Sequence, residues 1–142
     1  MNRLSIARAT SELSRVREWL SATAQALCAG AITAEQIFEL QIAVQEALTN
    51  VLVHVEEPGL TNDIHLEISC ENQVVQLEIT YTGRAFDPAA VPPPSFDGAR
   101  ANGFGLFIIE QLMDEVANGQ GLDGRSFIRL QKRLDVNRSI ET

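Results

Sequence analysis

Between Leu40 and Val55 the chain reads LQIAVQEALTNVLVHV, a mainly apolar stretch in which Glu46, Asn50 and His54 recur at four-residue steps. On an α-helix, at roughly 100° per residue, Asn50 stands about 40° and His54 about 80° round from Glu46, so the three form one polar stripe. Ile42, Ala43, Ala47 and Val53 edge the stripe, and Val44, Leu48, Val51, Leu52 and Val55 occupy the far side. A solvated helix face is wide and richly charged, whereas this one is narrow and carries a single formal charge. A carboxylate set among aliphatic neighbours needs a partner or a chemical task. Two readings are open on these residues alone. Glu46 and Asn50 could bond neighbouring backbone, with His54 answering the negative end of the helix. Alternatively, Glu46 is placed to accept a proton and the Asn and Glu oxygens to meet a hard cation such as Mg²⁺, which takes few protein ligands and keeps several waters.

A second segment bears on that choice. Asn102-Gly103-Phe104-Gly105-Leu106 stands at the predicted start of a helix, with Asn102 as a candidate N-cap. Free N–H groups at a helix N-terminus bind phosphate, and glycine lets the backbone approach closely. A lone G-x-G is also an ordinary loop-to-helix turn. Joined to the Glu/Asn stripe, it points to a nucleoside triphosphate held between two helices.

These residues must be positioned by the rest of the chain. Leu13, Val16, Leu20, Thr23 and Leu27 recur at helical spacing from Ser11 onward, widened by Trp19 and Ala24, and Gly30 suits the helix end. Thr33-Ala-Glu-Gln36 fits a capping box and opens a second helix over about 34 to 55, stopped by Pro58 and Gly59. The period then changes to two. Ile64, Leu66, Ile68 and Cys70, then Val75, Leu77, Ile79 and Tyr81, alternate with polar residues across the turn Glu71-Asn72-Gln73, which predicts a hairpin closed by Gly83. Residues 84–102, with Asp87-Pro88 and Pro92-Pro93-Pro94, form a long loop of the kind that serves as a lid. Leu106 to Met113 reads as a short helix, and Val116, Ala117, Ser126, Ile128 and Leu130 as a second hairpin, before a polar tail from Asp135. The economical packing is an α+β two-layer sandwich, helices on one face of a mixed, mainly antiparallel sheet, in a single domain over 1–142.

Composition narrows the function classes. The 142 residues are 45% hydrophobic, enough to bury a core, and 11 Lys plus Arg against 19 Asp plus Glu give a formal charge of −8. Such a field repels phosphate backbones, which argues against nucleic acid as a partner. No apolar run approaches the roughly 18 residues that cross a bilayer, and the polar start Met1–Thr10 does not resemble a secretion signal, so a cytoplasmic protein without membrane contact is expected. Cys28 and Cys70 are isolated thiols without the spacing of a zinc ligand pair. They read as ordinary small residues, a disulfide between them not being required.

Glu46-Ala-Leu-Thr-Asn50-Val-Leu-Val-His54 resembles the N-box of the ATPase superfamily shared by gyrase, histidine kinases and mismatch-repair ATPases, in the form found in anti-sigma-factor serine kinases. Gly83 through Phe86-Asp87-Pro88 looks like the end of that family's first glycine box. Asn102 to Ile109, followed by Gln111 to Val116, resembles the second. The likeness covers about residues 5 to 134 with the three segments in order. It implies a Bergerat-type ATP-binding fold and a kinase that uses ATP and Mg²⁺ to phosphorylate a serine or threonine of a STAS-type anti-anti-sigma protein. It further implies that the kinase sequesters a sigma factor and forms a homodimer. On that likeness Glu46 is the general base, Asn50 holds Mg²⁺, and the backbone around Gly103 and Gly105 cradles the phosphates. His54, Tyr81, Thr82, Gly83, Asn102, Phe104, Leu106 and Ser126 complete the nucleotide site.

One position departs from the pattern. Two residues before the glycine of the first box the family normally places an Asp that bonds the adenine amino group; here it is Tyr81. Losing such a bond costs about 1.5–3 kcal/mol. Thr82 or Ser126 could supply a hydroxyl instead, and Tyr81 could stack on the base. Alternatively Tyr81 fills the space left by the adenine, and the chain is an ATP-independent binding switch of the same fold.

Overall fold

The computed structural model describes residues 2–28, 30–54, 64–83, 104–121 and 124–134. The expected lid at 84–102, the stop at Pro58 and Gly59, Asn102, Gly103 and the tail from Asp135 lie outside the described residues. In chain order the elements are β1 (Arg3–Ile6), a 3₁₀ turn (Thr10–Glu12), α1 (Leu13–Leu27), α2 (Ala34–His54), β2 (Ile64–Glu71), β3 (Val74–Tyr81), α3 (Phe104–Leu112), β4 (Glu115–Gln120) and β5 (Ser126–Arg133).

The two long helices form where their sequences direct. α1 buries Val16, Leu20, Thr23 and Ala24, the middle of its apolar stripe, and leaves Leu27 exposed. It ends at Cys28, and Gly30 adopts φ +84°, a left-handed conformation that L side chains rarely take. α2 opens on the expected reciprocal cap. The Gln36 N–H donates to Thr33 Oγ1 at 3.0 Å and the Thr33 N–H donates to Gln36 Oε1 at 2.9 Å, satisfying two otherwise orphaned donors. Leu40, Ala43, Val44, Ala47, Leu48 and Val51 are all buried, so α2 is the central helix of the core.

Among the described residues five strands run in the order β1-β2-β3-β5-β4, and their four pairings are antiparallel. The β2–β3 hairpin turns through Asn72 and Gln73, both at positive φ, the two-residue turn whose twist matches that of the strands. Side chains alternate cleanly. Ile64, Leu66, Ile68, Val75, Leu77, Ile79, Tyr81, Ile128 and Leu130 face the helices and are buried, while Glu78 and Arg129 pair across the opposite face at 2.8 Å. The α+β sandwich is therefore present, with helices on one face.

β1 is the element that periodicity did not reveal. Four residues are too few to display a period, and the strand exists by pairing along the edge of β2, from Arg3 opposite Glu67 to Ile6 opposite Ile64. β4 is likewise longer than Val116 and Ala117 alone suggested, because its ladder with β5 continues through Asn118 and Gly119 to Gln120. Among the described residues no helix is long and apolar enough to cross a membrane.

Candidate functional site

Glu46 and Asn50 lie one turn apart on α2 and are half-buried, whereas Val44, Leu48 and Val51 on the opposite side of the helix are buried in the core. The first turn of α3 rests against them. A Cβ placed on Gly105 would stand 2.7 Å from Glu46 Oε1, 3.7 Å from Glu46 Cδ and 3.7 Å from Asn50 Oδ1. A real Cβ never approaches an oxygen so closely, so this seat requires glycine at 105 or a displaced Glu46 side chain. Gly105 is the second residue of α3, where the backbone N–H groups lack intrahelical acceptors and the helix dipole is positive. A carboxylate, an amide oxygen and a helix N-terminus thus meet in one place.

A second cluster forms where β3 ends and β5 begins. Tyr81 stands opposite Ser126 in the ladder, and both are 0% exposed. The Ser126 hydroxyl donates to the Gly83 carbonyl at 2.6 Å, and Gly83 takes φ +113°, which a side chain would strain. The Arg8 guanidinium donates to the Thr82 carbonyl at 2.9 Å, tying the segment after β1 to the same turn. Tyr81, the bulkiest of the fully buried side chains, belongs to the hydrophobic core.

Residues 9–132 match the family of the histidine kinase-like ATPase domain. The chain belongs to that family. Over 97 residues it is 34% identical to the serine/threonine-protein kinase BtrW of Bordetella bronchiseptica, covering 66% of this chain and 68% of that one. It is 31% identical over 90 residues to the serine-protein kinase RsbW of Oceanobacillus iheyensis, the match spanning 58% of this chain and 57% of the kinase. The anti-sigma F factor of Bacillus subtilis is 25% identical over 115 residues, 76% of this chain and 77% of that factor. In fold it is similar to the crystal structure of the RsbU and RsbW domains of Rv1364c from Mycobacterium tuberculosis. That likeness has a TM-score of 0.65 at 17% identity and covers 94% of this chain and 32% of the other.

In this ATPase domain the residues singled out from sequence fall into the two clusters. Glu46, Asn50 and Gly105 are brought together by the α2–α3 contact. Tyr81, Thr82, Gly83 and Ser126 are brought together by the strand ends. Leu106 packs against the core beside Gly105. Phe104 begins α3 and His54 ends α2. Arg8 escaped the sequence reading, since a single arginine in a polar N-terminal segment carries no periodic signal and its partner is 74 residues away. Among the described residues no group of three or more His, Cys, Asp or Glu could hold a metal on protein ligands alone.

Proposed function

We propose that this chain is an anti-sigma factor with ATP-dependent serine/threonine kinase activity, phosphorylating a STAS-type anti-anti-sigma protein and, in its other state, sequestering a sigma factor. The observation that carries the reading is the seat of Gly105 on Glu46 and Asn50. It sets an anion-binding helix N-terminus against a carboxylate and an amide oxygen, the groups that phosphoryl transfer needs for alignment and charge neutralisation. The kinase and anti-sigma names of the relatives support the same choice.

In this reading the first turn of α3, with Gly103 and Gly105, holds the phosphates. Glu46 accepts the proton of the substrate hydroxyl as its oxygen bonds to the γ-phosphorus and ADP departs. Asn50 and Glu46 offer hard oxygen donors, so the residues fit Mg²⁺ shared with phosphates and water rather than enclosed by protein. The cation would supply charge neutralisation, and Asn50 is the residue that would hold it. Thr82 and Gly83 flank the base, next to the buried ladder pair Tyr81 and Ser126, with His54, Asn102, Phe104 and Leu106 completing the site. A homodimer belongs to the proposal as well; among the described residues Leu27 and Phe38, the latter 60% exposed, are the large apolar side chains left uncovered.

The deciding experiment is transfer of labelled γ-phosphate from Mg-ATP to purified STAS proteins by the wild type and by Glu46→Gln. Transfer by the wild type, reduced at least a thousandfold in Glu46→Gln while partner binding survives, supports the reading. Absence of nucleotide binding up to millimolar ATP, with a partner still captured, replaces it by the ATP-independent switch.

A further inference from the structure

The α2–α3 contact that builds the site has a second anchor two turns away. Lys132 lies on β5 in the inward row of Ser126, Ile128 and Leu130, where every other residue of the row is fully or almost fully buried. Its Nζ donates to the carbonyl of Leu112 at 2.7 Å and pairs with Glu39 Oε1 at 2.8 Å. Leu112 is the last residue of α3, so its carbonyl has no acceptor role inside the helix, and a cation there answers the negative end of the dipole. The exit from α3 is fixed to the same strand by two further bonds: the Asp114 N–H donates to the Gln131 carbonyl at 2.8 Å, and the Arg133 N–H donates to Asp114 Oδ2 at 2.6 Å.

The spacings match. Glu39 precedes Glu46 by seven residues on α2, and Gly105 precedes Leu112 by seven on α3. Seven residues are two turns, a rise of about 10.5 Å. The helices therefore run antiparallel in a single register, with Glu39–Lys132–Leu112 at one end and Glu46–Gly105 at the other. A slip of one residue on either helix would turn its face by about 100° and shift it by about 1.5 Å. That is enough to carry the Glu46 stripe off the glycine.

We propose that Lys132 is the positioning residue that sets the register of α3 on α2 and thereby seats Gly105 on Glu46 and Asn50. A lysine taken out of water into an apolar row is costly even when paired, and fixing a register is the best attested return for that cost. The arrangement also gives α3 a fixed C-terminal end and leaves its N-terminal turn as the end that meets the site. In its effect on nucleotide this inference rests on the function proposed above; the register itself does not.

The test combines amide hydrogen exchange of the full chain without nucleotide and calorimetric binding of Mg-ATP. The variants are the double substitution Lys132→Met with Glu39→Gln, which leaves no unpaired charge, and Lys132→Arg. The double variant is expected to exchange the Ile108 and Ile109 amides, whose bonds close the first turn of α3, at least tenfold faster, with β2 and β3 unchanged, and to bind Mg-ATP at least tenfold more weakly; Lys132→Arg should keep both within threefold of wild type. If the double variant does not fold, Glu39→Gln alone, which keeps the bond to Leu112, should show at least a threefold effect on both. A lower melting temperature with unchanged exchange at Ile108 and Ile109 overturns the proposal, because a merely stabilising lysine would give that result. A wild type that binds no Mg-ATP overturns the function proposed above, and the exchange arm then decides the register by itself.

Discussion

Gly105 on α3 and Glu46 on α2 stand so close that a Cβ at position 105 would lie 2.7 Å from the glutamate Oε1. The obstructing atom is the far end of a flexible side chain, so a methyl group there moves the carboxylate rather than the backbone. Alanine is also about 1 kcal/mol better than glycine within a helix. Gly105→Ala should therefore leave unfolding stability unchanged or slightly raised, by at most about 1 kcal/mol, while phosphotransfer falls at least tenfold. Chemical denaturation and a phosphotransfer assay on the same sample check it. A large loss of stability would show that the helices, not the carboxylate, had given way.

Glu46→Gln separates chemistry from recognition. In the proposed reaction the substitution keeps the shape and removes the proton acceptor, so transfer should vanish while binding of protein partners persists, as read by phosphotransfer beside a pull-down. Full retention of transfer would remove Glu46 from the reaction.

Tyr81 tests whether the strand-end cluster still serves a base. From sequence, restoring an acid by Tyr81→Asp should tighten ATP if the pocket is otherwise complete. The side chain is 0% exposed and part of the core, however, so Tyr81→Asp exchanges a packed ring for a buried carboxylate. A loss of about 3–5 kcal/mol is expected from the cavity, with charge desolvation added to it. Tyr81→Phe keeps the ring and should stay within about 1.5 kcal/mol of wild type. Thermal melts of the two variants, followed by ATP titration of whichever folds, separate packing from nucleotide binding.

The capping box at the start of α2 gives a purely structural test. Thr33→Ala removes the acceptor of the Gln36 N–H at 3.0 Å and should cost about 1 kcal/mol. The denaturant midpoint should fall without a change in slope.

Burial, reinforced by the neighbouring thiol of Cys70, pushes the Cys28 thiol up from 9.0 to about 12. The folded chain thus keeps a proton that the unfolded chain releases near 9. The associated stability is fully present below pH 9 and is lost as pH rises toward about 12. Unfolding free energy measured between pH 8 and pH 11 should decline, and Cys28→Ala should flatten that decline. In the native state at pH 8 an alkylating reagent should modify the half-buried Cys70 well before Cys28.

What the sequence determined by itself was whatever depends on near neighbours. The 3.6-residue period of α1 and α2, the cap at Thr33 and Gln36, the alternation of β2, β3 and β5, and the stripe of Glu46, Asn50 and His54 are all local patterns. Each follows from the repeat of a helix or strand or from hydrogen bonds between near neighbours, so it is readable without reference to distant chain. Tertiary structure decided the rest. Arg3–Ile6 became a strand only because the edge of β2 was there to accept its hydrogen bonds. Tyr81, which the strand pattern left free to stack on a base or to fill space, was taken into the core when β5 set Ser126 opposite it. Lys132 escaped the sequence reading altogether; that it reaches both Glu39 and Leu112 depends on three elements meeting at one point. Such contacts join residues far apart along the chain, and no local period records them, because the entropy lost in bringing them together is offset only by the packing of the whole fold.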